Sequence, residues 1–460
     1  MTHRAAGMLA AAASLAATEL LGGLIGLRET PVLAVAQGVV ELTPGPVAET
    51  IIGLVGTADK PLAVVCVAVA VLALGAVVGG WWVSHRRRAL AGVLALVLVA
   101  ALAVAARPYA SVGGMLVCVV GGLVVLGVLH ALLHARVDLD VDEARRAVFR
   151  TVILVAVATA LAGGLGHVFT ARRRRRAEVE QARSVIRLPL RGVTEPTGVD
   201  LGVDGQGPWR TPTRDFYRID TVLAAPLIDP ADWSLRIHGM DEREVRLSYA
   251  DLVDRGLRDA WITLCCVSNT VGGSLIGNTV WSGVAMKDLL EEAGVREGAD
   301  ALLSTSEDGW TCSTPLSALL DGRDALLALA MDGKPLPVEH GFPVRQVVPG
   351  LYGYVSATKW VADWEVTRFA DVEAYWTTRG WAVEGPVKTQ SRIDVPRGDV
   401  QPGTVVVAGV AWAQQRGIRG VEVRVDEGPW HQATLASAPN DDTWVQWTWK
   451  WEADPGRHSL

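Results

Sequence analysis

The chain has 460 residues and a formal net charge of −6, from 43 Lys and Arg against 49 Asp and Glu. This small charge, with no basic stripe carrying interleaved aromatics, argues against nucleic acid as a partner. Half of the residues are hydrophobic, and most of that excess lies before residue 170. The length predicts about two to four domains, and the uneven hydropathy predicts a membrane half followed by a soluble half.

Apolar runs in the first third of the chain are long enough to cross a bilayer, because a helix rises about 1.5 Å per residue across about 30 Å of hydrocarbon. Four of them cover residues 5–27, 61–83, 89–106 and 110–134, and a shorter fifth covers 151–169. The stretch 32–56 is interrupted by Glu41, Pro44, Pro46 and Glu49 and is predicted to form two short interfacial or re-entrant helices. Residues 1–170 are thus predicted to be an all-α transmembrane anchor of about five helices.

Five spans place the N-terminus and the soluble half on opposite sides of the membrane. With a cytoplasmic N-terminus, the basic residues divide eight against eight, so the positive-inside rule does not decide the orientation. Arg145 and Arg146 precede an apolar run rich in Ala and Gly and resemble a twin-arginine export signal, although an ordinary basic cytoplasmic loop is the alternative. The export signal predicts a cytoplasmic N-terminus and an extracytoplasmic soluble half.

The membrane half contains few polar groups that could carry chemistry. His130 and His134 lie four residues apart on one helix, and His167 lies near the opposite end of the last span. A bis-histidine haem needs facing histidines at one depth, so these are interpreted as interface residues, and no haem is predicted. Glu19 in the first span is a functional candidate, but helix packing or a partner subunit explains it equally well.

The soluble half reads as a linker followed by two domains. Residues 171–214 contain an Arg run, prolines and a Gly-rich stretch, and are predicted to be a linker. Residues 215–384 mix strands such as 233–237 with short helices such as 285–292, which predicts an α+β domain. Residues 385–460 change to short strands at 404–411, 420–425 and 444–451, which predicts a β-sandwich.

The five cysteines, Cys66, Cys118, Cys265, Cys266 and Cys312, form neither a plausible disulfide framework nor a zinc-binding pattern. Three segments of the soluble half are more informative. They are DFYRID at 215–220, TLCCVSN at 263–269, and the run from MDGKPLP at 331–337 through HGFPVR and PGLYG to SATKW at 356–360. In content and order, over roughly residues 205–460, they resemble the bacterial, membrane-anchored branch of the sulfite oxidase family of molybdopterin enzymes.

This resemblance implies molybdenum bound to molybdopterin as the cofactor. Cys266 matches the metal-binding cysteine of the family's Cys-x-Gly-Asn pattern, whereas Cys265 falls one residue early and Ser268 stands where many relatives have Gly. A thiolate is a suitable soft ligand for molybdenum. A buried structural cysteine pair is the alternative interpretation.

The pterin ends in a phosphate, which needs fixed cations and N–H donors. The resemblance assigns further residues to cofactor binding, some of them near the metal: Tyr217, Arg218, Asp220, Asn269, Asp308, His340, Arg345, Thr358 and Lys359. It also implies that residues 385–460 are an immunoglobulin-like dimerisation domain. The chain ends where relatives continue into another edge strand, so the sandwich is expected to be incomplete and its dimer-forming role is open.

The sequence departs from sulfite-oxidising relatives around the metal. Thr270 and Val271 replace an arginine, and Trp381 stands where relatives have a tyrosine. Arg218 remains and Arg379 is a second candidate cation, so Cys266, Arg218, Arg379 and Trp381 are the predicted catalytic residues. A less cationic pocket predicts an S- or N-oxide or another small molecule as substrate rather than sulfite.

Two alternatives stay open at this point. One is genuine sulfite oxidation, and the other is an inactive membrane scaffold or binding module. The absence of a CxxCH motif implies a separate electron carrier, such as a quinone or a cytochrome. Membrane lipid and a second copy of the chain are the other expected partners.

Overall fold

A computed structural model describes residues 2–27, 29–44, 59–108, 110–134, 166–190 and 194–460, together with positions 47, 50, 51, 54 and 55. The chain divides into two compact units. The helical unit is Met1–Glu178 with Thr221–Ala225, and the soluble unit is Val179–Asp220 with Pro226–Leu460. Arg145, Arg146 and residues 151–165 of the predicted fifth span lie outside the described residues.

Helices make up most of the described residues of the first part of the chain. In order they are α1 His3–Leu24, α2 Pro31–Leu42, α3 Asp59–Ser84, α4 Arg86–Ala105, α5 Val112–His134 and α6 Gly166–Val185. Four of the helices that the structure describes, α1, α3, α4 and α5, are long and apolar enough to cross a membrane. They coincide with the four long predicted runs, and α2 corresponds to the first of the two short helices predicted within 32–56.

Small residues allow helices α1 and α3 to approach closely. A Cβ added to Gly7 would lie 2.0 Å from the carbonyl oxygen of Gly75, and one added to Gly79 would lie 2.7 Å from the Cα of Gly7. Such backbone contact is typical of helix pairs in lipid, where burying apolar surface gives no advantage over lipid contact. Large apolar side chains such as Leu94 and Leu102 are instead exposed.

A network of hydrogen bonds around Glu41 connects distant segments of the helical unit. The guanidinium of Arg107 donates to both carboxylate oxygens of Glu41, at 2.6 and 2.8 Å. The amide of Gln37 donates to Glu41 Oε1 at 3.3 Å and to the carbonyl of Thr221 at 3.3 Å, and it accepts from the N–H of Leu223 at 3.2 Å. These bonds hold the segment Thr221–Ala225 in this unit.

The soluble unit consists mainly of strands. In chain order these are β1 Ser234–Gly239, β2 Val245–Ser248, β3 Arg258–Cys265, β4 Ile276–Ala285, β5 Ala301–Ser306, β6 Thr311–Pro315, β7 Leu326–Met331, β8 Lys334–Pro335, β9 Arg345–Val347, β10 Val361–Thr367, β11 Gln390–Val395, β12 Gly403–Trp412, β13 Glu422–Arg424, β14 Trp430–Gln432, β15 Thr434–Leu435 and β16 Val445–Ala453. Its α-helices are α7 Tyr249–Asp254, α8 Met286–Ala293 and α9 Leu316–Leu320.

Two sheets form the first part of the soluble unit, one mixed and one antiparallel. One sheet has the order β2-β1-β10-β5-β6, in which β1 and β10 pair in parallel. The other has the order β3-β4-β7-β8, with β9 also paired to β7. Short helices follow β2, β4 and β6, so the α+β prediction agrees with the structure. Strand β4 is buried along its whole length because it lies between β3 and β7.

The last part of the chain forms two antiparallel sheets, β11-β12-β16-β15 and β13-β14. The predicted strands at 404–411, 420–425 and 444–451 correspond to β12, β13 and β16. Val407, Val423 and Trp447 belong to one buried apolar cluster, which joins side chains of the two sheets. The alternation of apolar and polar residues was therefore a reliable guide to these strands.

The structure differs from the linker predicted over residues 171–214. Helix α6 occupies its first part, and Trp209 is completely buried. The indole N–H of Trp209 donates to the carbonyl of Trp444 at 3.1 Å, and the indole N–H of Trp444 donates to the carbonyl of Trp209 at 2.8 Å. A single anchoring residue in an extended segment has no periodicity, so sequence patterns do not reveal it.

Candidate active site

Two neighbouring cysteines at the end of β3 have different surroundings. Cys265 is 1% exposed and packs in an apolar cluster with Trp209 and Trp444. Burial raises the pKa of its thiol to about 12. Cys266 is only half-buried, and it lies close enough to Tyr217 to affect the ionisation of that phenol. Cys266 is therefore the accessible thiol of the pair.

The chain turns after Cys266, and Asn269 holds the turn. The N–H of Cys266 donates to the carbonyl of Leu275 at 2.9 Å, and the N–H of Asn269 donates to the carbonyl of Cys266 at 3.0 Å. Asn269 Oδ1 accepts from the N–H of Leu275 at 2.8 Å. Asn269, predicted to bind the cofactor, thus closes the loop over residues 266–275, which we call the cysteine loop.

Aromatic side chains pack together beside this loop. Phe216 stacks on Tyr217 at a ring distance of 5.4 Å and contacts the edges of Trp281 and His340 at 5.6 and 6.0 Å. Gly277 leaves room for Phe216, since a Cβ there would lie 2.8 Å from its ring. Burial, reinforced by Cys266, keeps the pKa of Tyr217 well above its ordinary value. The Tyr217 hydroxyl is therefore protonated at neutral pH and can donate a hydrogen bond.

Among the residues that the structure describes, Arg345 is a buried cation without an acidic partner. The residue is 6% exposed, and its guanidinium lies 4.9 Å from the centre of the Trp281 ring. Its Nη1 donates to the carbonyl of His340 at 3.3 Å, but its buried Nε has no hydrogen-bond partner. Burial lowers its pKa to about 10, so it remains charged at neutral pH. A buried charge without a counter-ion lowers the stability of the fold, and an anion that binds to it can offset this loss.

His340 is buried beside this cation. It ends a short 3₁₀ turn, Val338–His340, and the following Gly341 has a φ of +107°. A Cβ at Gly341 would lie 3.0 Å from the Cβ of Arg345 and 3.1 Å from that of Lys359. Burial, and then the charges of Arg345 and Lys359, lowers the pKa of His340 to about 4. The imidazole is therefore neutral at pH 7 and can both donate and accept.

A second group of charges lies around Asp220. Its carboxylate accepts from Lys359 Nζ at 2.9 Å and lies 3.3 Å from the Nε of Arg218. Both Lys359 and Asp220 are nearly covered, whereas the side chain of Arg218 is 48% exposed. Asp308 lies near Lys359 and accepts a short hydrogen bond from Ser306 Oγ, and burial raises its pKa. The structure thus brings four predicted residues into one charged cluster.

The backbone on both sides of Lys359 is fixed by buried contacts. Thr358 is fully buried, and its hydroxyl lies 3.1 Å from the Sγ of Cys312. Trp360 has a φ of +51°, which is uncommon for a bulky residue, and its indole N–H donates to the carbonyl of Val338 at 2.9 Å. An unfavourable backbone conformation held in place by its surroundings is common at functional sites.

Arg379 and Trp381 lie in a different group of side chains. Arg379 donates to the carbonyl of Tyr375 at 2.6 Å and lies 3.7 Å over the Tyr375 ring. Trp381 contacts Trp376 and Tyr354 at ring distances of 4.9 and 5.1 Å. We call these five residues the aromatic cluster. Two of the four predicted catalytic residues, Arg379 and Trp381, thus belong to the same cluster.

Sequence reasoning missed several residues that shape the site. Phe216 was quoted within the DFYRID motif without a role, and Trp281 was not singled out, although an aromatic residue beside a predicted ligand is a usable signal. Arg392, which contacts the cysteine loop from strand β11, has no local signal at all. Val271, which with Thr270 was expected to stand in place of an arginine, is fully exposed on that loop.

The donor set fits molybdopterin. Within the residues that the structure describes, no group of three or more His, Cys, Asp or Glu could hold a metal ion. A metal at Cys266 therefore needs ligands from another molecule, and a pterin dithiolene supplies two sulfurs. The phosphate of the same molecule is an anion suited to the unpartnered guanidinium of Arg345.

Comparison with known proteins agrees with this chemistry. Residues 222–376 match the model of the oxidoreductase molybdopterin binding domain. The uncharacterised oxidoreductase YuiH of Bacillus subtilis is 35% identical over 157 residues, which cover 34% of this chain and 76% of that protein. The mitochondrial sulfite oxidase of Drosophila melanogaster is 28% identical over 291 residues, covering 52% of this chain and 50% of that protein.

The sulfite oxidase of Gallus gallus is 28% identical over 287 residues, covering 52% of this chain and 62% of that protein. The chain therefore spans about half to three fifths of the sulfite oxidases that it matches. The sulfane dehydrogenase SoxCD of Paracoccus pantotrophus matches 60% of this chain and 78% of its own, with 22% identity and a TM-score of 0.48.

The match to YuiH covers most of that oxidoreductase, and the molybdopterin-binding domain contains the cluster around His340, Arg345 and Lys359. The relatives include several sulfite oxidases. The chain therefore belongs to the sulfite oxidase family of molybdopterin-binding oxidoreductases.

Proposed function

We propose that the chain is a membrane-anchored molybdopterin oxidoreductase in which Cys266 is the protein ligand of the metal. When bound, the cofactor supplies two-electron redox chemistry with transfer of an oxygen atom. The opposite environments of the two cysteines support the assignment, because a sulfur in an apolar core cannot reach a metal without disrupting that core. Metal binding would also remove the Cys266 proton that burial otherwise retains.

The unpartnered charge of Arg345 is the observation that carries the proposal. A guanidinium that is buried without a carboxylate costs several kcal/mol of stability. An anion bound at that position offsets this cost through charge-assisted hydrogen bonds to the free Nε. Neutral His340 adds a donor beside it, and the ion pair of Lys359 with Asp220 places a further cation nearby. These residues hold the phosphate side of the pterin, and Thr358 and Asp308 complete its surroundings.

The substrate side of the site combines a few polar groups with aromatic surface. Tyr217 provides a hydroxyl donor, and half-exposed Arg218, paired with Asp220, provides a cation. Gly353 links this side to the aromatic cluster, since it precedes Tyr354 and a Cβ there would lie 3.9 Å from the Tyr217 hydroxyl. Trp381 and Arg379 then bind the non-reacting part of the substrate. An S- or N-oxide with an apolar part suits this surface better than sulfite.

Sulfite oxidation is the second candidate, and the sulfite oxidases among the relatives favour it. A dianion requires strong cationic capture, and Arg218 and Arg379 are the available cations. An inactive scaffold is the least supported reading, because Cys266, His340, Arg345 and Lys359 are all retained. A protein that no longer bound the cofactor would gain stability by replacing a buried, unpartnered arginine.

The helical unit anchors the enzyme in the cell membrane, with the N-terminus in the cytoplasm and the catalytic part outside. Four apolar helices and the glycine contacts between α1 and α3 support the anchor. Arg145 and Arg146 act as the export signal for the folded, cofactor-loaded part. Replacing both with lysine should leave the catalytic part inaccessible to protease in intact spheroplasts, and unchanged accessibility would contradict the export signal.

Electrons pass to or from a separate carrier, a quinone or a cytochrome, and the helical unit also contacts membrane lipid. The two C-terminal sheets form an immunoglobulin-like domain, and pairing of their edge strands with a second copy of the chain gives a homodimer. Exposed apolar residues such as Trp430, 59% exposed, support a contact surface there. The oligomeric state of the detergent-purified protein tests this part of the proposal.

The central experiment is metal and pterin analysis of the detergent-purified chain, followed by a comparison of sulfite with sulfoxides and N-oxides. We expect one molybdenum and one pterin per chain, and faster turnover of the oxides. Cys266→Ser should abolish turnover and remove a sulfur from the metal's X-ray absorption signal, whereas Cys265→Ser should lower stability and keep that signal. The reverse pattern, or a protein free of molybdenum, would disprove the proposal.

A further inference from the structure

The C-terminal sheet reaches the cysteine loop through one arginine. Arg392 on strand β11 donates from Nη1 to the carbonyl oxygen of Gly273 at 3.0 Å. Gly273 lies within the cysteine loop, and its N–H donates to the carbonyl of Thr270 at 2.8 Å. The two residues are 119 positions apart in the chain. The contact therefore joins the metal-ligand loop to a region assigned only to dimerisation by the family resemblance.

Arg392 is itself held rigidly. Its Nε donates to Asp394 Oδ1 at 2.9 Å, and the side chains of the two residues are only 13% and 5% exposed. Its guanidinium also lies 5.3 Å from the centre of the Trp444 ring. A planar guanidinium can bind the carboxylate with one nitrogen and the loop carbonyl with another, which a lysine cannot do in the same geometry.

The same part of the chain also holds the strand that leads to Cys266. The N–H of Trp444 donates to Thr263 Oγ1 at 2.8 Å, and the N–H of Thr263 donates to the carbonyl of Asp442 at 2.9 Å. Thr263 precedes the two cysteines in β3. The backbone is thus fixed before Cys266 by residues around Trp444 and after it by Arg392.

The cysteine loop has little conformational freedom with which to compensate for the loss of the Arg392 contact. A Cβ at Gly273 would lie 2.7 Å from Asn269 Oδ1 and 2.8 Å from the carbonyl oxygen of Thr270, so the turn is tight. The outer part of the loop is open, since Val271 is fully exposed. Without Arg392, the Gly273 carbonyl would face water, and the segment between Cys266 and Gly273 would be held mainly by Asn269.

We infer that Arg392 is a positioning residue for Cys266, acting through the Gly273 carbonyl. The inference rests on the proposed role of Cys266 as the metal ligand. It gives the C-terminal sheet a function within its own chain, independent of any dimer. A thiol that must meet a metal at a fixed distance gains from such support, because small displacements of a ligand weaken its bond.

The test is the alkylation rate of each cysteine in the full-length, cofactor-free protein, measured by peptide mass spectrometry at one fixed pH. Arg392→Ala should increase the rate at Cys266 about tenfold, the loss expected for one charge-assisted hydrogen bond. Arg392→Lys should give an intermediate rate. Arg397→Ala is the matched control, because Arg397 lies 4.0 Å from the same carboxylate of Asp394 but is 76% exposed. The control should match the wild type.

Cys265 reports general loosening of the fold, since it lies in the apolar core, and losing the charge of Arg392 would by itself only raise the pKa of its thiol and slow its alkylation. An unchanged rate at Cys266, or equal increases at both cysteines, would overturn the inference, because the second result means general loosening of the fold. If Arg392→Ala fails to fold, Asp394→Asn releases the same guanidinium more gently and has the same expected pattern. A molybdenum X-ray absorption signal unaltered by Cys266→Ser would refute the proposed function alone and leave the alkylation result standing.

Discussion

Each of the two units contains a covered arginine, and the two side chains differ in their partners. In the helical unit, Arg107 makes a bidentate ion pair with Glu41 at 2.6 and 2.8 Å. In the soluble unit, Arg345 is equally covered but has one carbonyl contact and a buried Nε without a partner. A partnered charge stabilises the fold that contains it, whereas an unpartnered one costs stability until a ligand arrives. The comparison separates structural charges from functional ones.

The strongest test of this contrast is Arg345→Met. The variant should bind the cofactor about 100-fold more weakly, the loss expected for about two charge-assisted hydrogen bonds. Its cofactor-free form should be as stable as the wild type or more stable, because the uncompensated charge is gone. Molybdenum content and thermal unfolding measure the two effects.

Arg236→Met is the control for that experiment, since Arg236 forms an exposed ion pair with Glu244 on strand β1. Its molybdenum content should not change. A lower stability of cofactor-free Arg345→Met would mean that the guanidinium has an internal partner after all, and the contrast with Arg107 would disappear.

Arg107→Met should have the opposite effect on stability. Removing the guanidinium leaves Glu41 without its ion-pair partner, and we expect a loss of about 2 kcal/mol, reduced from the fully buried case because Glu41 is 36% exposed. Denaturant titration of the protein in detergent measures it. The double variant Arg107→Met, Glu41→Leu should recover most of the loss. A single variant as stable as the wild type would show that this pair contributes nothing.

A third test uses His340, whose pKa is lowered by burial and then by the charges of Arg345 and Lys359, so that it stays neutral. Its pKa is about 4 in the folded protein and about 6.5 in the unfolded chain. Between these values the unfolded chain binds a proton that the folded protein does not, so stability is full above about pH 6.5 and falls as the pH decreases. We expect a loss on the order of 1 kcal/mol between about pH 6.5 and 5.5 in the cofactor-free protein.

His340→Asn should remove this part of the pH dependence, whereas His238→Asn should retain it. His238 lies on β1 and contacts Asp363 at 2.9 Å, so it belongs to a different set of contacts from Arg345 and Lys359. Thermal unfolding at several pH values compares the variants. Equal slopes in the two variants would show that His340 is not held neutral by its surroundings.

The smallest effect is expected for a positively charged side chain added at a solvent-exposed position. Because Val271 is fully exposed, an arginine there would be hydrated and screened, and Val271→Arg should change kcat/KM for sulfite less than about threefold. This revises the expectation that the missing arginine at this position weakens sulfite capture. Steady-state assays with an artificial acceptor measure this change in kcat/KM, and the Trp381→Tyr variant is assayed in parallel. A tenfold gain would mean that the cysteine loop folds over the substrate.

Sequence patterns predicted local features well. Four apolar runs coincide with long helices, because the length and hydropathy of a span are properties of consecutive residues. The C-terminal strands were found from alternation for the same reason. Motif spacing selected Cys266 over Cys265, and the structure places Cys265 in the apolar core.

Contacts between distant segments could not be predicted in this way. Nothing near Arg345 in the chain indicates that its Nε lacks a partner, and nothing near Arg392 indicates that it reaches Gly273. Trp209 was assigned to a linker because one anchoring indole leaves no periodic signal. The packing of Trp381 against Tyr354, apart from the charges around Asp220, was likewise not visible.

The sequence by itself determined the apolar helices, the alternating strands, the family and the order of its motifs, since each depends on residues that are close along the chain. The tertiary structure decided which of two adjacent thiols is accessible, which arginine is left without an acid, and which remote side chain supports the cysteine loop. The physical reason is that burial and charge pairing depend on where the chain returns in space, and β-sheet contacts such as that of Arg392 join residues more than a hundred positions apart.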